Sequence, residues 1–341
     1  MNKNHSRPRP RRWQPLLVLL LALTGLIGLA CSDDGDQGGD RPVVVATHSI
    51  LGDLAANVLG EEAQVEVIMP AGTDPHEFEP SAAEIAMLNE ADLVIANGLG
   101  FEAGLADALD AAADEGVPTL ELGEDLDPLT LSEEGGEHEH EAEADGEHEH
   151  EAEADGEHEH EHEGDEDPHW FTDPLRMARA AGLVADAAAE VDGLDAEVVR
   201  EQADAYAAAI EAADTEIAAD LETIPEERRK LVTNHEVFGY FADHYGFEVV
   251  GTIIPGGTTL AEPSSAELAE LVGVIEETGV PAVFADTSSS TELADVLAEE
   301  TGEDIEVVEL FSESLGEEGS GGETYLDMIQ TNADRIVAAL A

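Results

Sequence analysis

Residues 43–69 read VVVATHSILGDLAANVLGEEAQVEVIM, and the spacing of their apolar residues changes twice along the way. Val43–Thr47 is a β-rich run of strand length, Leu51–Leu59 repeats apolar residues at helical spacing, and Val65–Met69 is a strand again. A crossover helix returns the chain to the starting end of the first strand, so the two strands of such a unit run parallel. Strand runs at Leu93–Asn97 and Val117–Leu122, with helical patterns at Ala82–Asn89 and Glu102–Glu115, extend it. The same alternation restarts at Leu231–Thr233 and continues through Val249–Ile254, Ala282–Ala285 and Ile305–Leu310. The expected fold class is α/β, with two βα lobes built on mostly parallel sheets. Ser81/Glu84, Ser264/Glu267 and Ser289/Glu292 have the spacing at which a Ser side chain and a Glu three residues on satisfy each other's free backbone donors at a helix start.

Between the two sets of strands, Asp195–Thr223 is Ala-rich and meets no Gly or Pro before Pro225. As one helix this stretch would run about 43 Å at ~1.5 Å per residue, long enough for a strut between lobes. A long surface helix of a single domain would have the same pattern. The organisation expected is a first lobe over 42–194, a linker helix over 195–229 and a second lobe over 230–341.

The N-terminus reads as an address. Lys3, Arg7, Arg9, Arg11 and Arg12 precede the 15-residue apolar run Leu16–Ala30, which is shorter than the ~20 residues that span a bilayer. Residues 1–31 are therefore expected to be a secretory signal. Cys31, the only cysteine, follows at once and resembles the lipidated cysteine of a bacterial lipobox, with Ala30 in place and Gly28-Leu29 reversed from the usual order. Residues 32–41 have no apolar anchor and read as a flexible tether.

Composition narrows the partners. The 341 residues hold 80 Asp and Glu against 13 Lys and Arg, a formal net charge of −67. Such a surface repels phosphate backbones, so no nucleic-acid partner is expected. A lone cysteine forms no disulfide within the chain, and a transition-metal site would have to use His and carboxylates. Only 19 of the acids lie in the low-complexity stretch 133–167, so most of the charge belongs to the rest of the chain and suits a solvated surface in a salty medium.

Within that stretch, 137–162 repeats Glu-His pairs and carries His138, His140, His148, His150, His158, His160 and His162. Alternating imidazole and carboxylate on a chain too polar to fold suits loose capture of several zinc or nickel ions; a solvated spacer is the plainer reading. Six other histidines occur: His5, His48, His76, His169, His235 and His244. His76 lies in Asp74-Pro75-His76-Glu77-Phe78-Glu79-Pro80 after the strand Val65–Met69, and His235 follows the strand Leu231–Thr233. Ligands of open α/β sheets gather beyond the carboxyl ends of strands, which is where both fall. His169 lies in Asp167-Pro168-His169-Trp170, at the exit of the His-rich tract. Each alone is an ordinary polar loop residue; three together point to a shared metal site. His48, at the end of the first strand, is expected at the rim of the same cleft, His244 on a helix surface, and Asp286 as a cap or a hydrogen-bond acceptor behind the ligands.

Taken in order, Gly72–Pro80, Asp167–Trp170, Val232–Phe241, Ala261–Ser264 and Leu310–Leu315 make the chain resemble the zinc- and manganese-binding receptors of bacterial ABC importers, the cluster A-I solute-binding proteins, over residues 43–341. The resemblance implies two βα lobes joined by a long rigid helix, with one metal ion in the interlobe cleft. It also implies the ligands: His76 and His169 from the first lobe, His235 and Glu313 from the second, with Glu313 or a water as the fourth.

Three imidazoles and one carboxylate favour Zn²⁺ over Mn²⁺, whose receptors in this family usually offer two of each. The function implied is capture of Zn²⁺ outside the cytoplasm by a lipid-tethered monomer that delivers it to an ABC permease. A manganese receptor of the same family, or a surface zinc buffer or adhesin, are the alternatives. A zinc hydrolase would keep an open water position and a general base. A fourth protein ligand closes that position, and the sequence has no HExxH helix, so no enzyme is expected.

Overall fold

The computed structural model describes residues 41–131, 166–302 and 305–341. The signal segment with Cys31, the tether up to residue 40, and the seven tract histidines from His138 to His162 lie outside the described residues. The described residues form one compact unit.

Two four-stranded sheets share one plan. In the first, β1 (Val43–His48), β2 (Gln64–Met69), β3 (Leu93–Ala96) and β4 (Thr119–Glu121) lie in the order β2-β1-β3-β4, all parallel. In the second, β5 (Lys230–Thr233), β6 (Glu248–Thr252), β7 (Ala282–Asp286) and β8 (Glu306–Leu310) repeat that order as β6-β5-β7-β8, again parallel. Each order reverses direction beside its first strand, which opens a crevice at the carboxyl ends of the central strands.

Helices cover both faces of each sheet, and the strands show it residue by residue. Val44 and Ala46 of β1 face a large core, while Val45 between them belongs to a separate cluster with Ile68, Leu88 and Val94. In the second lobe Leu231 and Phe284 join that large core, and Val232 and Val283 pack with Ile253, Leu271 and Leu297 on the other face. Successive side chains alternate sides, so a strand buried on both faces reads as an unbroken apolar run.

The helices are α1 (Ser49–Leu59), α2 (Ala82–Asn89), α3 (Ala106–Asp114), α4 (Pro174–Ala188), α5 (Ala196–Leu221), α6 (Gly239–Tyr245), α7 (Ser265–Thr278), α8 (Glu292–Glu300) and α9 (Tyr325–Leu340). Ser81 and Ser264 both close the expected reciprocal boxes, at the starts of α2 and α7. The third box does not form. Thr291 precedes α8 without capping it through its side chain, and the Glu292 amide bonds Ser290 Oγ at 3.2 Å, so the helix starts later than the Ser289 spacing predicts.

The helix α5 runs 26 residues, capped at its start by Asp195, whose carboxylate accepts from the Glu197 and Val198 amides. At 1.5 Å per residue that is about 39 Å. Its buried side chains, among them Val199, Tyr206, Ile210, Ile217 and Leu221, lie in the large core that also holds Val44 and Leu54 of the first lobe and Leu231 and Ile336 of the second. One apolar core therefore runs beneath both sheets. No helix among the described residues is long and apolar enough to cross a membrane.

Candidate metal centre

Four side chains converge where the two crevices face each other. His76 follows β2, His235 follows β5, Glu313 follows β8, and His169 begins the turn that leads into α4. One donor atom from each lies within 4.8 Å of the other three, and all four residues are buried. Glu313 Oε1 stands 2.6 Å from His76 Nε2, 3.1 Å from His235 Nε2 and 3.4 Å from His169 Nε2, and the last two nitrogens are 3.4 Å apart.

Ligand atoms held 2.0–2.1 Å from a tetrahedral zinc stand about 3.3 Å from one another. Three of these separations are close to that edge, and His76 to Glu313 is shorter. Both Glu313 oxygens and His76 Nε2 are buried without a hydrogen bond, the state of donors aimed at a common point instead of at each other.

Local structure explains how each donor is held. The Asp74 carboxylate accepts the His76 amide at 2.9 Å, which fixes the loop that carries the ring. The other Asp74 oxygen accepts Thr259 Oγ1 from the second lobe at 2.8 Å. Asp167 Oδ1 accepts both the backbone amide of His169, at 2.9 Å, and its Nδ1–H, at 2.7 Å. A proton held on Nδ1 leaves the Nε2 lone pair free for an ion.

Tyr240 of α6 donates its hydroxyl to the Asp167 carbonyl at 2.5 Å and accepts the Leu129 amide, so the His169 segment is tied to the second lobe. Ser314, next to Glu313, accepts the Gly72 amide at 2.9 Å and lies 3.1 Å from Ser49 Oγ, joining the lobes a third time.

Burial and neighbouring charges shift the groups at the centre against each other. Burial works to lower the basicity of His169, but Asp167 and Glu313 outweigh it and raise the ring to about 9. Burial works to raise Glu313, yet His235, His169 and His76 hold its carboxyl well below the usual range. Asp286, at the end of β7, is raised to about 7 by burial and then by the Glu313 charge.

Two phenylalanine rings pack against the donor imidazoles. Phe101 lies 5.4 Å from the His76 ring and 5.8 Å from the His169 ring, and Phe171 lies 6.1 Å from His169. Phe101 was not singled out in the sequence, because its position depends on Gly98, Leu99 and Gly100, all at positive φ. Nor was the role of Asp167, although an acid two residues ahead of a candidate ligand was a usable signal.

His48 is not at the cleft rim as expected. It is 2 % exposed, 4.9 Å from Phe101 and 5.8 Å from Phe171, because the turn at 98–100 folds Phe101 over it. His244 is part of α6 and bonds Asp214 at 2.7 Å.

Fold and site together define a two-lobed α/β solute-binding protein with a buried His and carboxylate donor set between its lobes. Residues 44–339 match the family of zinc-uptake complex component A periplasmic proteins, and the chain belongs to that family. It is 29% identical over 326 residues to the manganese-binding lipoprotein MntA of Halalkalibacterium halodurans, covering 95% of this chain and 97% of that one. It is 28% identical over 338 residues to the zinc-binding protein TroA of Treponema pallidum, covering 95% and 97%. The solved structure of that periplasmic zinc-binding protein superposes with a TM-score of 0.75 at 26% identity, over 88% of this chain and 99% of the other. The family consists of metal-binding receptors of ABC importers and not of enzymes.

Proposed function

We propose that this chain is a zinc receptor that works outside the cytoplasm, tethered through a lipidated Cys31, and hands Zn²⁺ to an ABC permease. His76, His169, His235 and Glu313 are its ligands. The observation that carries this reading is the convergence of three imidazole Nε2 atoms and one carboxylate, all four residues buried.

Zinc is favoured over manganese by the donor set, since a borderline-soft ion prefers three nitrogens in a four-coordinate shell, while manganese prefers more oxygen. Relatives bear names of either kind, so the choice rests on the chemistry of these donors. The fourth position is assigned to Glu313 in place of a water, because its oxygens have no other partner. In the receptor cycle the ion is cargo, and bound and free states differ by loop and side-chain ordering about the long α5 instead of wide hinge closure. The tract from His138 to His162 is assigned to loose capture of ions outside the centre.

Metal content tests this reading. Thr130 and Glu166 pair as an isolated antiparallel bridge, so a chain lacking 133–163 has only a short connection to make between them. The shortened chain, stripped with a chelator and re-equilibrated with equal Zn²⁺ and Mn²⁺, should retain one zinc and no manganese by mass spectrometry. A manganese-loaded chain would replace zinc by manganese in the reading. A chain with no stoichiometric metal would refute the centre and leave the tract as the functional element.

A further inference from the structure

His169 has a carboxylate behind its metal-facing nitrogen; His235 has none within bonding distance, and its Nδ1 is buried without a partner. With Nε2 directed at Glu313 and His169, the metal-binding tautomer of His235 must carry its proton on Nδ1, so the orphan atom is a buried donor. One buried acceptor lies on the neighbouring strand. Asp286 ends β7 and is 1 % exposed; its Oδ1 accepts the Ser288 amide at 2.6 Å and the Ser288 hydroxyl at 2.8 Å, while Oδ2 has no hydrogen bond.

The two residues leave adjacent strand ends. Thr233, the last residue of β5, pairs with Phe284 of β7, His235 lies in the bend that follows β5, and its ring is near enough to act electrostatically on Asp286 at the end of β7. On its other side Asp286 pairs with Leu310, three residues before Glu313. Asp286 is not among the four side chains whose donors converge within 4.8 Å, so it lies outside the ligand set.

A buried carboxylate oxygen with no partner is costly unless something charged completes it. Here the completing charge belongs to the cargo. We propose that Asp286 is a positioning residue of the metal centre, whose free oxygen takes the Nδ1–H of His235 when a divalent ion draws that ring to its Nε2 face. Ser312, which neighbours Glu313, lies close enough for its buried hydroxyl to act on the Asp286 carboxyl, and it can share the oxygen with His235, since a carboxylate oxygen accepts twice. The ion would thereby tie the ends of β5, β7 and β8 together.

This inference rests on the receptor reading, and its test separates the two. The full chain is stripped with a chelator, and binding of the first Zn²⁺ equivalent is measured against a chromophoric chelator. Asp286→Asn should weaken it about 10- to 100-fold, the usual effect of removing a partner behind a metal-bound His. The visible bands of the Co²⁺-loaded chain should shift in the same variant. Asp286→Glu, which keeps the acceptor, should restore most of the affinity. The thermal midpoint of the stripped Asp286→Asn chain should stay level or rise, because a structural carboxylate would lower it and a charge held for an absent ion would not. Affinity within twofold of the parent chain, an unshifted Co²⁺ spectrum, or a midpoint that falls together with affinity in both variants overturns the proposal. If the parent chain itself takes up no tight first equivalent, the receptor reading fails instead.

Discussion

Glu313 is one of 80 acids in the chain, and nothing in its local sequence sets it apart. His76, His169 and His235 were legible because histidine is scarce outside the tract and two of the three follow strand ends. Glu313 became visible only through resemblance, since its role depends on β8 being placed beside β7 and facing the other lobe. Truncation should therefore be uneven in effect. Glu313→Ala removes one donor and leaves three imidazoles, so the centre should bind zinc more weakly in chelator competition, whereas His235→Ala should abolish the tight equivalent. Asp167→Asn keeps the shape but loses the acceptor charge on His169 Nδ1, and a 10- to 100-fold loss of zinc affinity is expected. Gly239 supplies an independent check on the same carboxylate. A Cβ built there would lie 2.7 Å from Asp167 Oδ2, so Gly239→Ala should displace Asp167 and lower affinity although it touches no ligand. Unchanged binding in both variants would show that Asp167 does not orient the ring.

At the scale of elements, strands buried on both faces could be read with ends off by a residue or two, because their apolar runs stop where the crevice begins. Helix starts were legible where a Ser and a Glu close on each other, as at α7, and not at α8, where Ser290 and Thr291 compete for the first turn. Ser264→Ala should lower stability by ~1 kcal/mol in denaturant titration, with zinc affinity unchanged, because α7 lies on the face away from the centre. The position of His48 could not be read at all, since Phe101 reaches it only through the turn at 98–100. That burial has a consequence for pH. Burial lowers His48 to about 3 from an ordinary 6.5, so between those values the unfolded chain binds a proton that the folded chain refuses. Stability from this group is complete above about pH 6.5 and is lost as pH falls toward 3. Glu102, raised by burial to about 6, acts in the opposite sense: its neutral form is the one the fold accepts, and stability from it is lost as pH rises through 6. Replacing His48 by Leu should flatten the fall of the stripped chain's thermal midpoint between pH 7 and pH 4.5; an equally steep fall in the variant would show that His48 is not the group that charges.

For the whole molecule, the two lobes and their shared core bring four potential donors from distant parts of the chain to one point, in a chain of large acidic charge. Only 19 of the 80 acids lie within 133–167, so the repulsion they create is a property of the folded part as well as of the tract. Exposed like charges repel across a Debye length that shrinks from about 30 Å at 0.01 M salt to about 3 Å at 1 M. Folding brings these carboxylates closer than they are in the unfolded chain, and self-repulsion of that kind weakens a compact state. Screening should therefore favour the folded chain. The thermal midpoint of the stripped chain is expected to rise by about 5 °C between 0.02 M and 1 M KCl, a change of ~2 kcal/mol on the scale of domains this size. Deleting 133–163 should preserve most of the rise, because most of the acids remain. Loss of the rise on deletion would locate the repulsion in the tract and would make the folded surface electrostatically neutral in its effect on stability. Zinc should add its own stabilisation to the shortened chain at either salt concentration, since a buried four-ligand centre is little screened by ions in solution.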